Sequence, residues 1–216
     1  MKIDPEAIKI LCFGDSNTWG YSPSEGTRYP VDVRWTGVLQ SMLGDGYWII
    51  EEGLNGRTTD MDDPDTPGRN GLIYLHPCLN THNPIDIIIF LLGTNDTKQK
   101  FARSPKRIAE GLRSLLDEIG MTSYDRVGKS PQVIIVSPPL VDDNIEKARE
   151  EFVDASHKSQ GLSRQYYQLA REYGARFLDL AHLISPSKND GVHLEPADHR
   201  IIAENLMERI LPIDLN

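Results

Sequence analysis

Cysteine is scarce: the 216-residue chain has two, Cys12 and Cys78, so no disulfide framework carries the fold. Neither stands in a metal-type spacing, and Cys12, within Ile10-Leu11-Cys12-Phe13, reads as a buried reduced thiol. No metal or organic cofactor is implied. Long apolar runs are missing too. The longest, Ile87 to Leu92, falls far short of the ~20 residues that span a bilayer. Positive charge is in deficit, with a formal net charge of −9 and no segment rich in Lys or Arg. That disfavours nucleic acid and anionic membranes as partners, because both require a basic patch. A charged-then-apolar leader is lacking as well, since Asp4, Pro5 and Glu6 run straight into a strand-like segment. The expected location is therefore the cytoplasm. With no repeat, low-complexity tract or long linker, residues 1–216 are expected to form a single domain.

What is present alternates between short apolar runs and helical patterns. Ile8–Phe13, Tyr47–Glu52, Ile85–Leu92, Gln132–Ser137 and Arg176–Leu180 read as strands. Within Ile85–Leu92, the run Ile87–Leu92 is apolar without alternation, the mark of a strand covered on both faces. Val33–Leu43 has helical spacing. Ser104-Pro105 opens a helix as N-cap and first residue, with the stripe Ile108, Leu112, Leu115, Leu116, Ile119 and a stop at Gly120. Further helices are read from about Leu162 to Tyr173 and from Pro196 to Ile210. The polar stretch 138–161 between strand and helix reads as an excursion or lid, with room for a helix within its charge-rich part, Asp142 to Gly161. These elements predict an α/β fold, a three-layer α/β/α sandwich around a five-stranded parallel sheet.

In such sheets, sites form beyond the carboxyl ends of the strands, and the unusual residues fall there repeatedly. Asp15, Ser16 and Asn17 follow the first strand; Gly53, Asn55 and Gly56 follow the second. Gly93, Thr94, Asn95 and Asp96 follow the third, and Asp190 and His193 follow the last. Acyl transfer needs a nucleophile, a base, an orienting carboxylate and oxyanion donors. Ser16 at a strand-to-helix turn suits the first role, His193 the second and Asp190 the third. The N–H groups of Ser16 and Gly56 and the Asn95 carboxamide suit the oxyanion. Trp19 and Tyr21 are candidates for a substrate wall.

Each residue has an ordinary reading when taken singly. Ser16 would be an N-cap, Gly56 a turn glycine and Asn95-Asp96 an Asx-turn. His76, His82, His157, His182 and His199 keep such readings, and Asp62, Asp63 and Asp65 read as a solvated turn without an EF-hand pattern. The joint pattern exceeds them. The layout is not that of an α/β-hydrolase, because no Gly-x-Ser-x-Gly elbow holds Ser16 and Asp190 lies only three residues before His193.

At these residues the chain resembles the SGNH (GDSL) hydrolase superfamily. Gly14-Asp15-Ser16 resembles its nucleophile block, Gly56 the glycine of the second, Gly93-Thr94-Asn95-Asp96 the third and Asp190-Gly191-Val192-His193 the terminal Asp-x-x-His. The resemblance implies a flavodoxin-like sandwich, a Ser16–His193–Asp190 triad and an oxyanion hole of Ser16, Gly56 and Asn95. Asp32-Val33-Arg34-Trp35-Thr36-Gly37, Glu51-Glu52-Gly53-Leu54, Arg57-Thr58-Thr59 and Leu92 to Lys98 resemble the bacterial arylesterase/acyltransferase branch more closely. That branch implies small acyl esters, acyl transfer in some members, and homo-oligomers. Asn17 stands where branch members carry an aliphatic residue, making it a candidate substrate contact beside Trp19.

The expectation is thus a serine esterase for short-chain acyl esters. A carbohydrate acetylesterase with the same triad is the alternative. A phosphate- or flavin-binding module fits less well, because Asp15 would repel the anion and Asp190/His193 would have no role.

Overall fold

The computed structural model describes residues 6–122 and 130–211; Asp4 and Pro5 of the expected leaderless start lie outside them. Five strands, β1 (Ile8–Gly14), β2 (Tyr47–Gly53), β3 (Ile87–Leu91), β4 (Gln132–Ser137) and β5 (Arg176–Asp179), pair in the order β2-β1-β3-β4-β5, all parallel. Seven helices are described: α1 (Ser16–Trp19), α2 (Trp35–Leu43), α3 (Gly71–His82), α4 (Pro105–Met121), α5 (Glu146–Arg149), α6 (Ala155–Glu172) and α7 (Pro196–Ile210).

Successive strand side chains point to opposite faces, and here both faces are apolar. Leu11, Phe13, Ile88 and Phe90 join α3, α4 and α6 in one core, through Leu75, Leu112, Leu115 and Tyr166 among others. Ile10, Cys12, Ile87, Ile89 and Leu91 join α2 and α7 in the other, through Trp35, Leu39, Ile202 and Leu206. Every residue of β3 is buried, which is why its sequence shows no alternation. The α/β/α sandwich with a five-stranded parallel sheet is as expected.

Some boundaries differ. Helix α3 was not read from the sequence: Pro77 sits inside it, and Ile73 and Tyr74 are exposed, so no single apolar stripe announces it. Gly120 does not stop α4, which continues to Met121 and is capped at Thr122. Helix α6 begins at Ala155, so the last part of the expected excursion is helix, as is the single turn α5 before it. The aspartates read as a solvated turn include a buried one, Asp63, paired with Lys100 Nζ at 2.7 Å.

Close approach at the carboxyl edge is set by Gly53. A Cβ there would meet the backbone of Trp19 and the Thr18 carbonyl carbon at 2.7 Å. With no side chain in the way, α1 lies directly on the end of β2.

On the other face, His199 of α7 accepts the Trp35 N–H through Nδ1 at 3.2 Å and so caps α2 from outside. Burial lowers its pKa from 6.5 to about 4, with the charge of His193 adding to the effect. The folded state therefore keeps His199 neutral while the unfolded chain takes up a proton below 6.5. Its stabilising contribution is complete above that value and is lost as pH falls toward about 4. Urea unfolding across that window should show a decline of up to about 1.4 kcal/mol per pH unit from this group. His199→Asn, which keeps an acceptor for Trp35, should flatten it; an unchanged slope would assign the acid sensitivity elsewhere.

Candidate active site

Ser16 is the first residue of α1, immediately after β1. Asp15 caps that turn, its Oδ1 accepting the Asn17 N–H at 2.9 Å. As the first helical residue, Ser16 has a backbone N–H with no intrahelical acceptor. Its Oγ lies 2.9 Å from His193 Nε2, and His193 Nδ1 lies 2.6 Å from Asp190 Oδ2. An ionised carboxylate can only accept, so Nδ1 carries the proton toward Asp190 and Nε2 presents its lone pair to the serine hydroxyl. Asp190 Oδ1 also accepts the N–H groups of Val192 and His193, both at 2.9 Å. Burial pushes the Asp190 pKa up, but the hydrogen bond and charge of His193, with the two backbone donors, outweigh it and hold the carboxyl below its ordinary value.

The turn carrying this pair is braced from behind. Gly191 has φ +73°, and a Cβ on it would meet Asp142 O at 2.5 Å and Ala148 Cβ at 3.0 Å. Asp142 N–H donates to Gly191 O at 2.8 Å. Val192 packs with Val141, Ala148, Phe152 and Ala155 in a small cluster of its own. Segment 141–155 thus packs beneath the Asp190–His193 turn. It also reaches the third loop, where Glu151 O accepts the Gln99 N–H at 2.9 Å and Glu151 pairs with Lys98 Nζ at 2.5 Å.

Asn95 lies in a short tight helix, Asn95–Thr97, and is buried. Its Nδ2 donates one hydrogen to Arg57 O at 3.1 Å. That bond fixes the carboxamide and links the third loop to the second, where Gly56 holds φ +79°. A neighbouring network tightens the link. Asp96, fully buried, accepts from Thr59 N–H at 3.0 Å, Thr59 Oγ1 at 2.6 Å and Arg103 Nη1 at 2.9 Å. Burial still raises its pKa to about 6 against these partners. No local sequence signal marks this network, because Thr59 and Arg103 are not neighbours of Asp96 along the chain.

Three further residues complete the surroundings. The Tyr21 ring lies 4.3 Å from the His193 ring, centroid to centroid, tilted by 38°. Trp19 sits under the Arg28 guanidinium, 5.3 Å from the ring centroid, and its carbonyl accepts from Arg28 Nε at 2.7 Å. Asn17 is buried, and its carboxamide makes no hydrogen bond to any described residue.

A parallel α/β/α sandwich with a hydroxyl–imidazole–carboxylate line at its carboxyl edge defines the architecture of an SGNH-type hydrolase. The family model for the GDSL-like Lipase/Acylhydrolase family matches residues 12–201. An aryl esterase structure from M. smegmatis is 40% identical, with TM-score 0.88 over 95% of this chain and 99% of that one. A carbohydrate acetylesterase from Sinorhizobium meliloti is 38% identical, with TM-score 0.86 over 94% of this chain and 100% of that one. An acetylxylan esterase from Xylanibacter ruminicola is 23% identical over 92% of this chain, which spans only 42% of that longer protein. The chain belongs to the GDSL-like lipase/acylhydrolase family and is an SGNH-type esterase. No helix among the described residues is long and apolar enough to cross a membrane.

The Asp96 network makes a stability prediction. Arg103→Leu leaves a buried carboxylate without its cation and should cost about 3–5 kcal/mol in urea unfolding. Asp96→Asn keeps the shape and removes the charge, so it should cost clearly less. Equal losses would mean that the cation is not what holds these loops.

Proposed function

We propose that this esterase cleaves short-chain acyl esters, acetyl esters first among them, with Ser16 as nucleophile, His193 as general base and Asp190 as its orienting carboxylate. The observation that carries the reading is the unbroken line from Ser16 Oγ through the imidazole to Asp190, at 2.9 and 2.6 Å. Those contacts are within hydrogen-bond reach for proton transfer. Ser16 Oγ attacks the ester carbonyl as its proton passes to His193 Nε2. The resulting oxyanion is met by the N–H groups of Ser16 and Gly56 and by the second amide hydrogen of Asn95, the first being held by Arg57 O. Collapse expels the alcohol, which takes the proton from His193. Water, deprotonated by the same imidazole, then releases the acid and frees Ser16. Tyr21 against His193 forms one wall in this reading, and Trp19 and the Asn17 carboxamide border the alcohol side.

A carbohydrate acetylesterase is the second reading, favoured by the likeness to the S. meliloti enzyme over nearly the whole chain. Acyl transfer to an alcohol needs only that the alcohol replace water at the second step. Both readings use one triad and differ in the alcohol accepted.

Ser16→Ala should lower kcat for p-nitrophenyl acetate by about 10⁴–10⁶-fold with an unchanged circular dichroism spectrum. Activity near wild type would remove Ser16 from the chemistry. Asn95→Ala should lower kcat about 10²–10³-fold with little change in KM. Running a series of acyl chain lengths beside acetylated xylosides separates the two readings. A preference for the sugars selects the acetylesterase.

A further inference from the structure

We propose that Glu52, Cys78 and His82 form a three-ligand site for a borderline divalent cation of the zinc type, separate from the Ser16–His193–Asp190 line. Cys78 and His82 stand four apart on α3, and so share one helical face. Along the chain alone Cys78 stands in no metal-type spacing; its relation to His82 counts only because α3 is a helix there. Glu52, one residue from the end of β2, completes the set. The ligand atoms of the three residues all lie within 4.8 Å of one another. Zinc bonds of ~2.0–2.3 Å in tetrahedral geometry put ligand atoms roughly 3.3–3.7 Å apart, so side-chain adjustments of about an ångström suffice.

The surroundings suit a metal in other respects. Glu52 Oε2 accepts from Tyr74 Oη at 3.0 Å, which orients the carboxylate and turns Oε1 toward His82 Nε2, at 2.8 Å. Such outer contacts commonly orient metal ligands. Cys78 lies buried at the base, while Glu52 and His82 are partly exposed at the rim. The ion therefore has an entry path, and a water can complete the fourth position. Thiolate, imidazole and carboxylate together select zinc-like ions over magnesium or calcium, which prefer oxygen alone. Binding forms the metal–Sγ bond and sends the thiol proton to solvent. The His82 ring proton that faces Glu52 Oε1 at Nε2 moves to Nδ1, so that Nε2 can ligate. One charge opposes it. The Arg57 guanidinium stacks on the Phe13 and Tyr74 rings at 4.2 and 5.0 Å and donates to Glu52 O. The two anionic ligands balance the ion's own charge, so Arg57 weakens the site without cancelling it.

Cobalt(II) is the probe, titrated into the full chain with any affinity tag removed. One equivalent should give a thiolate-to-cobalt charge-transfer band in the near ultraviolet, and zinc should bleach it. Cys78→Ser should abolish the band. Because Cys78 also packs in the core, His82→Gln at the exposed rim is the second arm, and it should weaken cobalt binding at least about tenfold. His193→Ala should leave the band intact, separating this site from the esterase line. No band at one equivalent, a band that survives Cys78→Ser, or an affinity unmoved by His82→Gln would each overturn the assignment.

Discussion

A carboxylate taken out of water must be given hydrogen bonds or lose its charge, and the carboxyl edge of this sheet is organised around that demand. Asp96 is fully buried and obtains its partners from two other segments: Thr59 in the second loop and Arg103 before α4. Asn95, its neighbour in the chain, holds the carbonyl of Arg57 in the same second loop. The loops bearing Gly56 and Asn95 are thus tied together by hydrogen bonds and one buried ion pair. A network of this kind is strong only while complete, since losing one member strands the others without water.

The Asp190–His193 turn is held by different physics. Its support is a small apolar cluster with one backbone hydrogen bond, supplied by segment 141–155. The same segment touches the third loop through Glu151. A stretch that reads as a polar excursion therefore bridges two of the loops that the proposed chemistry uses. Ser16 needs neither device. It is placed by the junction of β1 and α1, and α1 lies where it does because Gly53 has no side chain.

These differences explain what was legible in the sequence. The apolar run of β3, the Pro-led start of α7 and the four glycine- and asparagine-bearing loops are local signals, and reading along the chain found them. The juxtaposition of Ser16 with His193 spans most of the chain, and it was legible because the pieces fall on strand ends of one predicted sheet and resemble the blocks of one family. Helix α3 was hidden by Pro77 and by Ile73 and Tyr74 facing outward. The first turns of α6 were hidden because Ala155 and Ser159, not large apolar residues, make their buried face. Arg103 gave no signal at all, since nothing local to it marks the carboxylates it would meet.

Two acids sense His193, and the way burial treats them decides which serves it. Asp15 is buried with a single backbone hydrogen bond, from Asn17, and Asp96 adds repulsion, so its pKa rises to about 6 even with His193 and Arg57 opposing. Asp190 is also penalised by burial, yet the imidazole bond and two backbone donors carry it the other way. The surroundings thus drive the two pKa values apart, and the difference in charge opens as pH falls toward about 6. Asp190 keeps its charge over a wide range and can stabilise an imidazolium throughout it. Asp15, whose Oδ1 closes the turn that bears Ser16, works through geometry whether or not it is ionised, because an uncharged carboxyl still has an oxygen to accept the Asn17 N–H. Under the proposed roles, positioning Ser16 and supporting His193 are therefore divided between two aspartates that differ chiefly in how many donors face them.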